Sequence, residues 1–336
     1  MPILTRRRLA AAVLALCAAA AGADYSDNAK TPQLLDTLRT QYSFSAAELE
    51  GVRAALKQAQ QLPQLIAAEQ NNKEKVSTWE DYRPLHVNPA NIAKGLLFMR
   101  QQRRWLALAE QRYGVPPEVV TALLGVETKY GAYTGRFRVL DSLATLGYDH
   151  PTRAPFFFDQ LIQFFVLCRD DRMAPTTLLG SYAGAMGAAQ FMPSNYRRLA
   201  VDFDGDGRVD LWSAPDAIGS IANYLVNYDS QRSWRRGQPL LAAAVSAQPP
   251  PATLSRNDKL PAQTVGALRQ AGVAPPTALP DEMPAGLLEL SHDGGAPEYW
   301  IALPNFYSIM SYNPRVFYAM AVSELANELK LAEDGG

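Results

Sequence analysis

Glu127 is the residue whose position most directly suggests acid–base chemistry. It stands at the end of an apolar stripe on one helix face, which Val120, Leu123 and Leu124 form at helical spacing. Removal of a carboxyl group from water disfavours its charged form and raises its pKa, which keeps a proton available near neutral pH. Glu127 is therefore a candidate general acid. A structural role, as a cap or as the ion-pair partner of Lys129, is the alternative.

An acidic segment at residues 202–216 has the chemistry of a calcium site. Four aspartates occur within nine residues at positions 1, 3, 5 and 9 of an EF-hand loop, and Gly207 occupies the sharp turn. Without a cation these carboxylates would repel one another. At position 12 Ser213 replaces the usual bidentate glutamate, and Asp216 could supply the missing oxygen. The alternative is a solvated acidic turn.

A third segment, residues 181–194, places small residues ahead of Gln190 and a Pro–Ser pair. Small residues allow another backbone or a ligand to approach closely, although tight packing is an equal explanation. The segment lacks the features of a P-loop and of a dinucleotide fingerprint, so we expect no nucleotide ligand. None of the three histidines lies in an H-E-x-x-H motif, and no G-x-S-x-G motif occurs, which argues against a metalloprotease and a serine hydrolase.

The elements that position these segments are predicted to be mainly helices. Helix starts are indicated by a capping box of Ser45 with Glu48, by Asn88 before Pro89, and by the two prolines at 116–117. We expect the second helix to stop at Gly114, the third to run up to residue 131, and a last helix to span about 315–329. Between 237 and 300, ten of the 24 prolines fall in 64 residues, and apolar runs at 287–290 and 299–303 flank a turn. This region is predicted to contain strands.

The first 23 residues predict export from the cytoplasm. Arg6–Arg8 precede an apolar stretch, and Ala21–Ala23 fits an A-x-A cleavage site, so the mature chain should begin near Asp24. Lipid attachment at Cys17 is less favoured because bulky Leu16 precedes it. Without this segment 29 basic and 33 acidic residues remain, a net charge of −4 that argues against a nucleic-acid partner. The one remaining cysteine, at 168, is expected in the core.

Several of these segments, in this order, resemble the lytic murein transglycosylase B family: Gly125–Thr128, residues 184–194, residues 202–216, and Asn305–Tyr307 with Tyr312–Asn313. The resemblance implies a mainly α fold with a lysozyme-like helical catalytic core, an EF-hand-like calcium loop, an added N-terminal helical domain and a small β-containing insertion. The implied boundaries are a signal peptide at 1–23, a helical domain at 24–113, the core at 114–236 and 301–334, and a Pro-rich domain at 237–300.

The resemblance also implies roles for individual residues. Glu127 matches the single catalytic glutamate. The residues that match glycan contacts are Ser181, Gln190, Tyr224 and Tyr312. Those that match the ligands of a structural Ca²⁺ are Asp202, Asp204, Asp206, Arg208 through its carbonyl, and Asp216. Lys129–Tyr130 departs from the family by replacing a common Arg–Trp pair.

The activity that the family implies is cleavage of the β-1,4 bond between N-acetylmuramic acid and N-acetylglucosamine without hydrolysis. The 6-hydroxyl of muramic acid attacks its own anomeric carbon and leaves a 1,6-anhydro end, so one carboxyl group suffices. The alternatives are a lysozyme-type hydrolase with Asp141 as second carboxylate, although Asp141 is better explained as a helix N-cap, and a calcium-stabilised binding protein without turnover. We expect a periplasmic monomer that acts on peptidoglycan glycan strands, with proteins of cell-wall synthesis or division as further candidate partners; an outer-membrane lipoprotein is less favoured.

Overall fold

The computed structural model describes residues 24–70, 78–292 and 294–335, so the predicted export signal and Cys17 lie outside the described residues. The described part is mainly helical, which confirms the predicted fold class. After a 3₁₀ turn at Tyr25–Asp27, its helices are α1 Thr31–Tyr42, α2 Ala46–Gln58, α3 Pro63–Gln70, α4 Trp79–His86, α5 Pro89–Gln101, α6 Arg103–Tyr113, α7 Pro117–Thr128, α8 Val139–Asp149, α9 Ala154–Asp170, α10 Pro193–Leu199, α11 Ala214–Asn227, α12 Val265–Gln270, α13 Pro304–Tyr312 and α14 Val316–Asp334.

The strands form two small antiparallel sheets. A two-stranded ribbon joins β1 (Phe137–Arg138) to β2 (Leu179–Gly180). The other sheet has four strands in the order β3-β6-β5-β4, and its strands are β3 Leu241–Ala243, β4 Gln263–Thr264, β5 Pro284–Leu290 and β6 Glu298–Ala302. Leu288 pairs with Trp300 across β5 and β6, which confirms the two strands expected from the apolar runs. A hydrophobic cluster that includes Leu268 and Ile301 is separate from the main core.

Local sequence signals account for most helix starts and for some of the stops. The capping box is present, because the Ser45 hydroxyl accepts from the Glu48 backbone N–H and the Glu48 carboxylate accepts from the Ser45 N–H. Asn88 caps α5 by accepting from the Asn91 N–H. The single helix expected from 88 to 114 is wrong, because the chain breaks at Gln102 into α5 and α6.

Helix α7 occupies the middle of the main core. Its residues from Val119 to Val126 are all buried, and α5, α6, α11 and α14 pack around it. The chain leaves the helix earlier than expected, at Thr128, because Lys129 and Tyr130 both adopt left-handed backbone conformations. Glu127 therefore lies in the last helical turn, next to a sharp change of chain direction. Among the described helices, none is both long enough and apolar enough to cross a membrane.

Candidate active site

Glu127 is half-buried at the end of α7 and is held by a residue of the last helix. The Tyr318 hydroxyl of α14 donates a hydrogen bond of 2.5 Å to Glu127 Oε1. Burial raises the pKa of Glu127 to about 7, and the hydrogen bond from Tyr318 opposes part of that rise. Glu127 therefore exchanges its proton near neutral pH, as a group that donates and later accepts a proton must.

Three tyrosines surround the Glu127 carboxyl group. Burial and the nearby charge of Glu127 raise the pKa of Tyr82 to about 12 and the pKa values of Tyr312 and Tyr318 well above the ordinary value. All three hydroxyls thus stay protonated at physiological pH and can act as hydrogen-bond donors. The rings come from different parts of the chain, with Tyr82 on α4, Tyr312 at the end of α13 and Tyr318 on α14.

The small-residue segment forms a compact turn against the end of α7. The Ala188 carbonyl accepts from the Thr128 hydroxyl at 3.1 Å, and the Ala189 carbonyl accepts from the Tyr312 hydroxyl. Gly187 has a φ of +68°, and a Cβ atom there would lie 2.4 Å from the Leu211 Cβ. A side chain at this position would therefore push the turn away from its support. The small residues serve a close approach of backbone to backbone.

Two residues of the expected glycan-contact set lie on this turn and remain partly exposed. The Gln190 side-chain nitrogen donates to the Thr134 carbonyl at 3.1 Å and to the Gly187 carbonyl at 2.8 Å, which leaves its oxygen as an acceptor. The Ser181 hydroxyl accepts from the Ala185 N–H at 3.0 Å. Both side chains are thus fixed by bonds to backbone, and each keeps hydrogen-bonding capacity.

Tyr224 occupies a different place from the other members of that set. Its side chain is 3% exposed, its hydroxyl donates to the Ser311 carbonyl at 2.8 Å, and its ring lies 4.6 Å from the Tyr312 ring. The structure therefore puts Tyr224 behind Tyr312 as a packing support. Its direct contact with a glycan stays a prediction.

Asp141 does not cap α8, so the expectation of an N-cap is wrong. The cap position is Arg138, and Asp141 lies inside the first turn with 3% exposure. Its carboxylate accepts from Arg138 Nε at 2.7 Å and from the Gln60 N–H at 2.9 Å. Arg138 supplies a nearby opposite charge, and Gln60 belongs to a distant segment, so the aspartate ties α8 to the N-terminal helices. These bonds occupy Asp141, which argues against a role as second catalytic carboxylate.

The acidic loop gathers three carboxylates from the expected ligand set. One oxygen each from Asp202, Asp204 and Asp216 lies within 4.8 Å of the others. The buried Asp216 carboxylate is oriented by the N–H groups of Phe203 and Asp210, each at 2.7 Å. Asp206 lies outside this group, and its Oδ1 accepts from the Arg208 N–H at 2.8 Å. The hard oxygen donors and their crowding fit a calcium ion.

Sequence reasoning missed Tyr318 and Tyr82, which contribute to the surroundings of Glu127. Tyr318 lies 191 positions from Glu127, so no local spacing could join them. The one available signal was the abundance of tyrosine, with 15 in the chain, and this did not single out either residue.

The chain matches the transglycosylase SLT domain family over residues 30–327. It therefore belongs to this family and is an enzyme, a lytic transglycosylase. The fold and the single half-buried glutamate at the end of α7 agree with that class.

Three relatives show how much of the chain the similarity covers. Membrane-bound lytic murein transglycosylase B of Escherichia coli strain K12 is 37% identical over 320 residues, which are 93% of this chain and 85% of that protein. The catenated lytic transglycosylase SltB1 of Pseudomonas aeruginosa is 38% identical with a TM-score of 0.84, over 92% of this chain and 99% of that one. The E. coli lytic transglycosylase Slt35, solved in complex with calcium, is 36% identical with a TM-score of 0.81, over 93% and 96%.

Proposed function

We propose that this lytic transglycosylase cleaves the β-1,4 bond between N-acetylmuramic acid and N-acetylglucosamine in peptidoglycan and leaves 1,6-anhydromuramic ends, with Glu127 as its acid–base group. The observation that most supports the proposal is the pKa of Glu127, which burial raises to about 7. A carboxyl group with this pKa can serve as acid and base in one cycle near neutral pH.

The reaction needs one proton transfer in each direction. Glu127 first protonates the glycosidic oxygen, and the C–O bond to the muramic anomeric carbon breaks. The 6-hydroxyl of the same muramic residue then attacks that carbon and gives its proton to the Glu127 carboxylate. The enzyme is thus restored with its proton, and no water molecule enters the products.

The surroundings of Glu127 fit a mechanism with a single carboxylate. The pKa of Glu127 is shifted by burial and by the hydrogen bond from Tyr318. In the part of the chain that the structure describes, no second carboxylate contributes to this shift. Hydrolysis by two carboxylates would need a partner several ångströms away to bind or activate water. Asp141, the one rival considered, is held by Arg138 and Gln60. Tyr318 is a positioning residue, because it donates directly to the reacting carboxyl group.

Digestion of purified sacculi followed by mass spectrometry tests this function. Anhydromuramic ends as the main product support it, whereas reducing muramic ends would assign the protein to the hydrolases. If the protein binds sacculi but releases no detectable soluble fragments, it is a peptidoglycan-binding protein without turnover.

We propose that the 202–216 loop binds a structural Ca²⁺ through Asp202, Asp204 and Asp216, with Asp206 and the Arg208 carbonyl as further ligands. The support is the group of three carboxylates and the calcium complex reported for Slt35. The ion would supply positive charge that holds the loop together. In this proposal the ion takes no part in bond cleavage, which is the role of Glu127.

We also propose that the enzyme is exported to the periplasm and that its mature form begins near Asp24. The support is the sequence pattern of residues 1–23, in which three arginines, an apolar stretch and an A-x-A site follow one another. N-terminal sequencing of the processed protein tests this, and a chain that starts with lipid-modified Cys17 would contradict it.

A further inference from the structure

Helix α14 lines two cavities that the proposed reaction does not use. One, of about 580 Å³, lies between α14, the start of α7 and residues 234–241. The other, also about 580 Å³, lies between α14, α4 and β6. Trp300, Glu324 and Asn327 line both cavities, so the two adjoin along α14. We call them together the α14 groove.

The charge of the α14 groove is strongly unbalanced. Five glutamates line it, against one arginine, one lysine and one histidine; the glutamates are Glu80, Glu118, Glu298, Glu324 and Glu328. The arginine is already engaged, because Arg83 Nε lies 2.5 Å from Glu324 Oε2. The lysine, Lys330, is exposed, and His292 lies 3.5 Å from Glu298. The groove therefore presents an excess of negative charge to any ligand.

Two carboxylates of the groove, Glu118 and Glu324, lie in surroundings that disfavour their charged forms. Burial raises the pKa of Glu118, and the charges of Glu110 and Glu333 raise it further against the effect of Lys330. Burial likewise raises the pKa of Glu324, and Arg83 only partly offsets this. A cation that entered the groove would relieve the repulsion among these groups and replace part of their lost hydration.

The remaining lining of the groove also accepts hydrogen bonds and packs against apolar groups. The Gln238 side-chain oxygen is buried and has no hydrogen-bond partner among the described residues. Trp300 is half-buried and its indole N–H donates to Glu298 Oε1 at 2.7 Å, which fixes the ring beside the carboxylates. Val119, Leu240 and Leu241 add apolar surface. A complementary ligand must bring N–H donors, positive charge and aliphatic carbon.

We propose that the α14 groove docks a basic, partly apolar peptide segment of a partner protein, whose lysine or arginine side chains pair with Glu118 and Glu328 and lie against Trp300. A cationic segment has the charge that complements the five glutamates, and its aliphatic carbon can pack against Trp300, Leu240 and Leu241.

Fluorescence anisotropy with the full-length mature enzyme tests the proposal. The probe is a fluorescein-labelled octapeptide of alternating lysine and leucine, and its control has glutamate in place of lysine. We expect the lysine peptide to bind and the glutamate peptide not to bind. The affinity for the lysine peptide should fall as the salt concentration rises. Glu118→Gln and Glu328→Gln should each weaken binding by about threefold to fivefold and by about tenfold or more together. Glu50→Gln, on distant α2, should leave binding unchanged.

Three results would overturn the proposal. The lysine peptide could fail to bind at low salt, or it could bind the double variant as tightly as the native enzyme. In the third result, soluble muropeptides would displace the peptide from the native enzyme and lose this ability in the double variant, which would assign the groove to the substrate. Digestion of sacculi by the double variant should proceed at the native rate, and this distinguishes loss of docking from loss of fold or of activity.

Discussion

The carboxyl groups of the Glu127 site and of the 202–216 loop differ in whether other carboxylates lie close to them. Among the described residues no second carboxylate shifts the pKa of Glu127, and burial among tyrosines makes its proton hard to remove. In the acidic loop three carboxylates meet within 4.8 Å. Burial and the charge of Asp204 raise the pKa of Asp216, and the N–H groups of Asp210 and Phe203 oppose part of that rise. Isolation favours a carboxyl group that stores a proton, whereas crowding with N–H donors favours carboxylates that bind a cation. The same functional group, a carboxyl group, thus serves two chemistries through its neighbours.

The largest effect should come from Glu127→Gln, which keeps the size and polarity of the side chain and removes its exchangeable proton. We expect the turnover of purified sacculi to fall by about 1,000-fold or more, because both proton transfers are lost. The measurement is the rate at which soluble anhydro-muropeptides appear, together with binding of the variant to sacculi, which should persist.

Glu118→Gln is the matched control, because Glu118 begins the same helix and burial also raises its pKa. Its activity should equal that of the native enzyme. Asp141→Asn should likewise keep the cleavage chemistry while it lowers stability by about 1–3 kcal/mol through the weakened contacts with Arg138 and Gln60. If the Glu127→Gln enzyme is active, Glu127 is not the acid–base group of the reaction.

The acidic loop should show its effect in stability. If Ca²⁺ binds only the folded state, saturating calcium at about 100 times its Kd adds about 2.7 kcal/mol and raises Tm by about 3–5 °C. Chelation should reverse the shift, and the pair Asp204→Ala with Asp206→Ala should abolish the response to calcium. Differential scanning calorimetry measures both. Melting curves that ignore calcium and chelator alike would show that crowding alone does not make this loop a cation site.

The isolation of Glu127 should also be visible in the pH dependence of stability. Its pKa in the folded state is raised from the ordinary 4.5 to about 7, so the folded protein holds this proton more tightly than the unfolded chain does. The resulting stabilisation is present below pH 4.5 and is lost as pH rises through 7. Between pH 4.5 and pH 7 the free energy of unfolding of the native enzyme should fall by about 1–3 kcal/mol relative to that of Glu127→Gln. A constant difference across this range, measured by urea unfolding, would contradict the raised pKa.

The smallest effect is expected from Tyr318→Phe, which removes one hydroxyl. That hydroxyl stabilises the charged form of Glu127, so its loss should raise the pKa of Glu127 further. The alkaline limb of the pH–activity profile should move to higher pH by less than about one unit. A purely structural role of Tyr318 would lower activity equally at every pH. Tyr224→Phe, which removes a hydroxyl bonded to Ser311, should leave the position of that limb unchanged.

The sequence predicted best those features that depend on near neighbours in the chain. The capping box of Ser45 and the apolar stripe that ends at Glu127 follow from spacings of three and four residues, and both are present. The break at Gln102 was missed because no proline or glycine marks it. Asp141 was misplaced because its partners include Gln60, which is 81 positions away. Tyr318 was missed for the same reason, since only tertiary packing brings it to Glu127.

The turn around Gly187 joins the two regions mechanically. The Ala188 N–H donates to the Leu211 carbonyl at 2.7 Å, at the end of the acidic loop, and the Ala188 carbonyl accepts from Thr128, next to Glu127. A fluctuation that breaks the hydrogen bond to Leu211 also loosens the backbone whose carbonyl groups accept from Thr128 and Tyr312. In amide hydrogen exchange the turn and the end of the loop should then open as one cooperative unit. The durability of the catalytic surface would then be set by how rarely that unit opens.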